Sequence, residues 1–139
     1  MTILTKAKEA PRKVGDLQSY PVKASTKIYK GSHVSIDATG YAIASTDVAG
    51  TKYVGIAYET VDNSAVGSAD GDLWIRVWRN GTHKLDAVSI AQTMVGDIMY
   101  VVDSGAFDDT AGSVNKIAIG VLEEYESATS GWVNLGIKS

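Results

Sequence analysis

GSHVSIDATGYAIASTDVAGTKYVGIAYE (residues 31–59) and GDIMYVVDSGAFDDTAGSVNKIAIGVLEE (residues 96–124) lie over one another without a gap, at an offset of 65 residues. The register pairs Gly31 with Gly96, Gly40 with Gly105, Gly55 with Gly120 and Glu59 with Glu124. Apolar positions agree between these fixed points: Val34 with Met99, Ile36 with Val101, Val54 with Ile119, Ile56 with Val121. Each copy therefore reads as a short strand, a Gly turn, a polar loop and a second strand. Two units fall short of the roughly three that a solenoid needs to bury a continuous core. The doubling predicts an all-β domain, a small β-barrel or sandwich of two pseudo-repeated units with pseudo-two-fold symmetry, each half covering the other's apolar face.

The flanking sequence agrees. Tyr20, Val22 and Ala24 alternate with polar residues, as do Val34 and Ile36, while Tyr53–Tyr58 is a continuous apolar run suited to a strand covered on both faces. Gly, Asn and Asp turn signals recur at short intervals from Lys30-Gly31 to Ser130-Gly131, and both prolines lie before position 22, so no later strand lacks a donor. Asn80-Gly81 predicts a type I′ hairpin that returns the chain from residues 72–78 through His83, Leu85 and Ala87. Residues 88–95 read either as two turns of helix or as a loop. Residues 1–19 carry Lys6, Lys8, Arg12 and Lys13 against Glu9 and Asp16, with no sustained period. They are assigned to an extended N-terminal arm and residues 20–139 to the β domain; the arm is either a loose terminus or a segment that orders on a partner.

Composition narrows the function. At 139 residues the chain can form one domain with a self-sufficient core, and a formal charge of −3 gives no whole-chain case for nucleic acid. Cysteine is absent, which removes thiol catalysis and zinc–thiolate sites. No run approaches the ~18 apolar residues that cross a bilayer, and none has signal-peptide length, so no membrane partner and a cytoplasmic origin are expected. No Gly-x-Ser-x-Gly elbow, phosphate loop or dinucleotide fingerprint occurs. His33 and His83 sit on separate strands without metal-ligand spacing. Asp103, Asp108 and Asp109 lack the alternation of a calcium loop, and Glu123, Glu124 and Glu126 alternate across a strand and cannot flank one bond. No enzyme activity and no cofactor are expected.

The remaining candidate is a surface. Strict alternation puts Leu73, Ile75 and Val77 on one face and Trp74, Arg76 and Trp78 on the other. Either the aliphatics line the core and the Trp/Arg face projects outward, a composition enriched at interface hot spots, or one Trp fills the core and Arg76 caps it. We take the outward reading and assign Trp74, Arg76 and Trp78 to a subunit interface.

GSHVSIDATGYAIAST, YVGIAYETVDN, GDIMYVVDSGAF, KIAIGVLEE and the closing GWVNLG resemble the small capsid decoration (cement) proteins of tailed bacteriophages, over about Tyr20 to Gly136. The resemblance implies a compact β-barrel that binds the outside of the head as a homotrimer. It would clamp neighbouring major capsid subunits against the packaged DNA, with no active site. It implies a virion protein made in the host cytoplasm, and makes Lys6, Lys8, Arg12 and Lys13 a candidate capsid-contacting arm. The alternative is a carbohydrate- or ligand-binding β module of the fibre or adhesin kind, with Trp74, Trp78 or Trp132 stacking on sugar rings. An aromatic cleft on each chain separates it from a cement protein, which buries its aromatics between subunits.

Overall fold

The 65-residue offset reappears as hydrogen-bond topology. A computed structural model describes residues 16–110 and 112–136. In chain order its strands are β1 (Leu17–Pro21), β2 (Thr26–Ile28), β3 (His33–Ile36), β4 (Ala42–Ala44), β5 (Lys52–Ala57), β6 (Val61–Asn63), β7 (Trp74–Trp78), β8 (Gly81–Asp86), β9 (Ile98–Asp103), β10 (Ala106–Asp108), β11 (Ala118–Ser127) and β12 (Ser130–Leu135). They form two five-stranded sheets, ordered β1-β7-β5-β3-β4 and β8-β12-β11-β9-β10, and a small β2-β6 pair. The chain is all-β, built from two repeated units. β1, β7, β5, β3 and β4 correspond in order to β8, β12, β11, β9 and β10.

Each sheet is strongly curved. A single parallel bridge joins Val22, just past edge strand β1, to Ala42 on the opposite edge; its counterpart, 65 residues on, joins Ala87 to Phe107. Lys23 N–H donates to Ala42 O at 3.1 Å and Val88 N–H to Phe107 O at 2.9 Å. The repeat thus begins at β1 and β8, earlier than Gly31 and Gly96. Past Ala57 and Leu122 the spacing changes: Ile56 pairs with Trp78 and Val121 with Asn134. The first unit spends the extra residues on β6 and its loop. At the position matching β2 the second unit has a 3-10 turn, Gln92–Met94, which resolves the ambiguity of residues 88–95.

Each unit gathers an apolar cluster of its own, and the second cluster is completed by side chains of the first unit. Val22, Ile28, Val34, Ala42, Val54, Ala57, Ile75 and Val77 form the first cluster. Met99, Val101, Phe107, Ile119, Leu122, Val133 and Leu135 dominate the second. Tyr53 and Ile56 of the first unit join the second cluster and the half-buried Trp78 packs against it, while Val54 and Ala57 stay in the first. This is why residues 53–57 of β5 are buried throughout. The packing is one-sided, since their repeat counterparts Ala118 and Val121 are only half-buried. A backbone bond from His33 N–H to Ser104 O (2.8 Å) and bonds from the Val114 and Asn115 N–H groups to the Asp47 carboxylate (2.6 and 2.9 Å) complete the seam.

Two expectations need correction. Asn80-Gly81 does not close a hairpin: β7 pairs with β1 and β5, and β8 pairs with β12. Gly81 has φ +91°, but Asn80 lacks the positive φ a type I′ turn requires, and the dipeptide instead carries the chain from one sheet to the other. The edge of β7 that β8 would need is filled by β1, which also moves Leu17–Ser19 out of the assigned arm and into the sheet. The rest of that arm up to residue 15, with Lys6, Lys8, Arg12 and Lys13, lies outside the described residues.

Candidate functional site

β7 alternates as its sequence requires. Ile75 and Val77 are fully buried, whereas Trp74 is 58% exposed, Arg76 is exposed and Trp78 is half-buried. Leu73, expected on the inner face, precedes the strand and is 43% exposed. Trp74 and Arg76 therefore project outward from a strand between β1 and β5, whereas Trp78, on the same face, is half-buried and packs against the second cluster.

The face is braced by residues that follow β5. Glu59 accepts from Arg76 Nε at 3.0 Å through Oε2 and from Nη2 at 3.1 Å through Oε1, and its Oε2 also accepts the Arg76 backbone N–H at 3.0 Å. The guanidinium lies 4.7 Å from the centre of the Tyr58 ring, which meets Trp78 edge-on at 5.3 Å. Hydrogen bonds from Arg76 hold the Glu59 carboxyl below the usual carboxylate range, and the same pairing raises Arg76. Solvent reaches both groups, so the fork adds little to stability; its effect is to fix the guanidinium in one orientation.

At the far end of β7 an open cleft of about 360 Å3 is lined by Asp16, Trp78, Asn80, Gly81, Thr82 and His83. It lies where the chain passes between the units. His83 sits 6.4 Å from Trp78, ring to ring, and its Nε2 donates to Asn80 O at 3.0 Å. The equivalent face of the second unit has different chemistry. There Trp132 and Asn134 stand where Arg76 and Trp78 stand, and Glu123 and Glu124 replace Tyr58 and Glu59. Trp132 Nε1 donates to Glu126 at 3.1 Å, and Lys84 lies 3.7 Å from the same carboxylate.

The other singled-out residues build structure. His33 is buried against Tyr53, with Nδ1 3.0 Å from the phenol oxygen, and burial lowers its pKa to about 4. Asp103 accepts the Gly105 N–H at 2.8 Å and Asp108 the Asp109 N–H at 2.9 Å, so both shape turns. Among the described residues no group of three or more His, Asp or Glu side chains is arranged to hold a metal ion, and neither histidine is bonded to a carboxylate. Sequence reasoning missed Glu59, Tyr58 and Asp16. Glu59 had one signal, its match to Glu124 in the repeat. Its partner lies 17 positions away on a strand not adjacent in sequence, which no local pattern encodes.

No protein-family model matches this chain, and no curated protein or solved structure does so either.

Proposed function

We propose that this chain is a structural virion protein that binds the outer surface of a phage capsid and stabilises it by clamping neighbouring major capsid subunits. It acts as a homotrimer and carries out no catalysis. One observation carries the reading: the exposed Trp74 and the Glu59-braced Arg76 form an outward face of the residue types that dominate interface energetics. Because the guanidinium is oriented before contact, little side-chain freedom remains to be lost on docking. The resemblance of the repeated motifs to cement proteins supplies the partner. Multivalency supplies the strength, since a trimer held at one subunit presents its other contacts at high effective concentration. The basic arm, with Lys6, Lys8, Arg12 and Lys13, reaches the adjacent subunit.

Light scattering should report a species near three times 14.7 kDa; a monomer at micromolar concentration overturns the trimer. The chain should co-sediment with expanded, undecorated heads. Trp74→Ala and Arg76→Ala, both at solvent-facing positions, should leave thermal unfolding nearly unchanged while weakening trimer association, and with it retention on heads, roughly tenfold or more, the loss of one hot spot of about 1.4 kcal/mol. Retention equal to the parent in both variants removes this face from the contact.

A further inference from the structure

We propose that the cleft beside Trp78 is a binding site for a neutral saccharide, which places the carbohydrate-binding alternative of the sequence on one cleft and does not rest on capsid attachment. The cleft joins an apolar platform to a polar rim. Trp78 offers an indole whose orientation is set on two sides, by the Tyr58 edge at 5.3 Å and by His83 at 6.4 Å. Around it stand Asp16, Asn80 and Thr82, residues that carry a carboxylate, an amide and a hydroxyl. None of these three side chains is used in a hydrogen bond to another described residue, so acceptors and donors remain for a ligand. A carbonyl can only accept, so the bond to Asn80 O places the His83 proton on Nε2 and leaves Nδ1 an acceptor in the neutral ring.

A pyranose matches this set. Its axial C–H face packs on an aromatic plane, and its rim of hydroxyls both donates and accepts, which suits a carboxylate, an amide and a hydroxyl together. Nucleotides stack equally well but bring phosphate towards a lining whose one formal charge, among the described residues, is the Asp16 carboxylate. The volume of about 360 Å3 lies at the small end of ligand pockets, enough for one or two sugar rings. Glycoside cleavage commonly uses two carboxyl groups, and among the described cleft residues only Asp16 supplies one, so the proposal is of binding. The position also suits a ligand site, at the junction of two packed units.

The test is a 1H–15N titration of the full chain with glucose, galactose, mannose, N-acetylglucosamine and their common disaccharides. At least one sugar should shift the Trp78 indole N–H and the amides of Gly81, Thr82 and His83, leaving the Trp74 and Trp132 indoles in place. Asp16→Asn and Thr82→Val, both at the rim, should each weaken that sugar about tenfold, and Trp78→Ala should abolish the shifts. If Trp78→Ala alters the fold, the two rim variants carry the test. The proposal is overturned if no sugar shifts these signals, or if the shifts persist with equal affinity in both rim variants. Because no capsid is present, a failure here leaves the head-binding experiment untouched, and a failure there leaves this one standing.

Discussion

Gly55→Ala should destabilise the protein by about 4 kcal/mol or more, and Gly120→Ala by a similar amount, magnitudes reserved for substitutions that force backbone apart. A Cβ on Gly55 would stand 1.9 Å from the carbonyl oxygen of Trp78, and one on Gly120 would stand 2.1 Å from that of Asn134. Neither obstacle is a flexible side chain that can swing aside. Both glycines also hold φ values, +145° and +159°, that L residues rarely adopt. The register of β3 on β5 shifts beside Gly55, and that of β9 on β11 shifts beside Gly120, so the same bulge recurs in both sheets. Gly50→Ala is the control: its φ is +88° but nothing lies within 4 Å of the added carbon, so only the left-handed penalty of roughly 1–2 kcal/mol applies. Urea unfolding of the three variants measures this directly. If Gly55→Ala unfolds at the same midpoint as Gly50→Ala, the close approach of β5 to β7 is not what the glycine protects.

Lowering the pH from 7 to 4 should remove about 3 kcal/mol of stability through His33 alone. Burial disfavours its charged form and brings its pKa from 6.5 to about 4; the carboxylates of Asp103 and Asp86 pull the other way without compensating. Each tenfold change in proton affinity corresponds to about 1.4 kcal/mol. The unfolded chain takes up a proton below pH 6.5 and the folded chain does so only near 4. Stability is therefore flat above 6.5, falls between 6.5 and 4, and gains no further loss from His33 below that. The carboxylates act in a separate window. Lys23 and Thr39 hold Asp37 low, the Val114 N–H holds Asp47 low, and Arg76 holds Glu59 low. Their contributions are complete above the ordinary carboxylate range and are lost as pH falls through the lowered values. Urea titrations at pH 7, 5.5 and 4.5 should show the slope in the parent chain and its absence in His33→Gln, whatever the variant's overall stability. An unchanged slope in His33→Gln assigns the pH dependence elsewhere.

Much of the architecture was legible because the repeat is written in the residues that set it. Gly55 and Gly120 align in sequence, and both permit the same close strand approach. The alternation over residues 74–78 placed Ile75 and Val77 inside and Trp74 outside, and the unbroken run at Tyr53–Tyr58 marked a strand buried on both faces. The equivalence of β1 and β8 was hidden, since Leu17–Pro21 (LQSYP) and the matching Thr82–Asp86 (THKLD) are identical at no aligned position and are related only by pairing. Asn80-Gly81 misled for a physical reason: a turn dipeptide reports local backbone freedom and carries no information about which strand already fills a neighbour's edge. The Trp78 cleft was half-visible. Trp78 stood out, but Asp16, Thr82 and His83 converge on it only because β8 starts a new sheet beside β7.

The passage from one sheet to the next at Asn80-Gly81 has a consequence for how the molecule comes together. Among the described residues every strand ladder closes within its own unit, and no β pairing joins a strand of the first sheet to one of the second. The chain entropy spent on strand pairing is thus confined to two loops of some sixty residues, each searching on its own. As the chain leaves the ribosome, the first sheet has all its strands by Trp78, before β8 is made. It then offers Tyr53 and Ile56 as a finished apolar surface on which the second can condense.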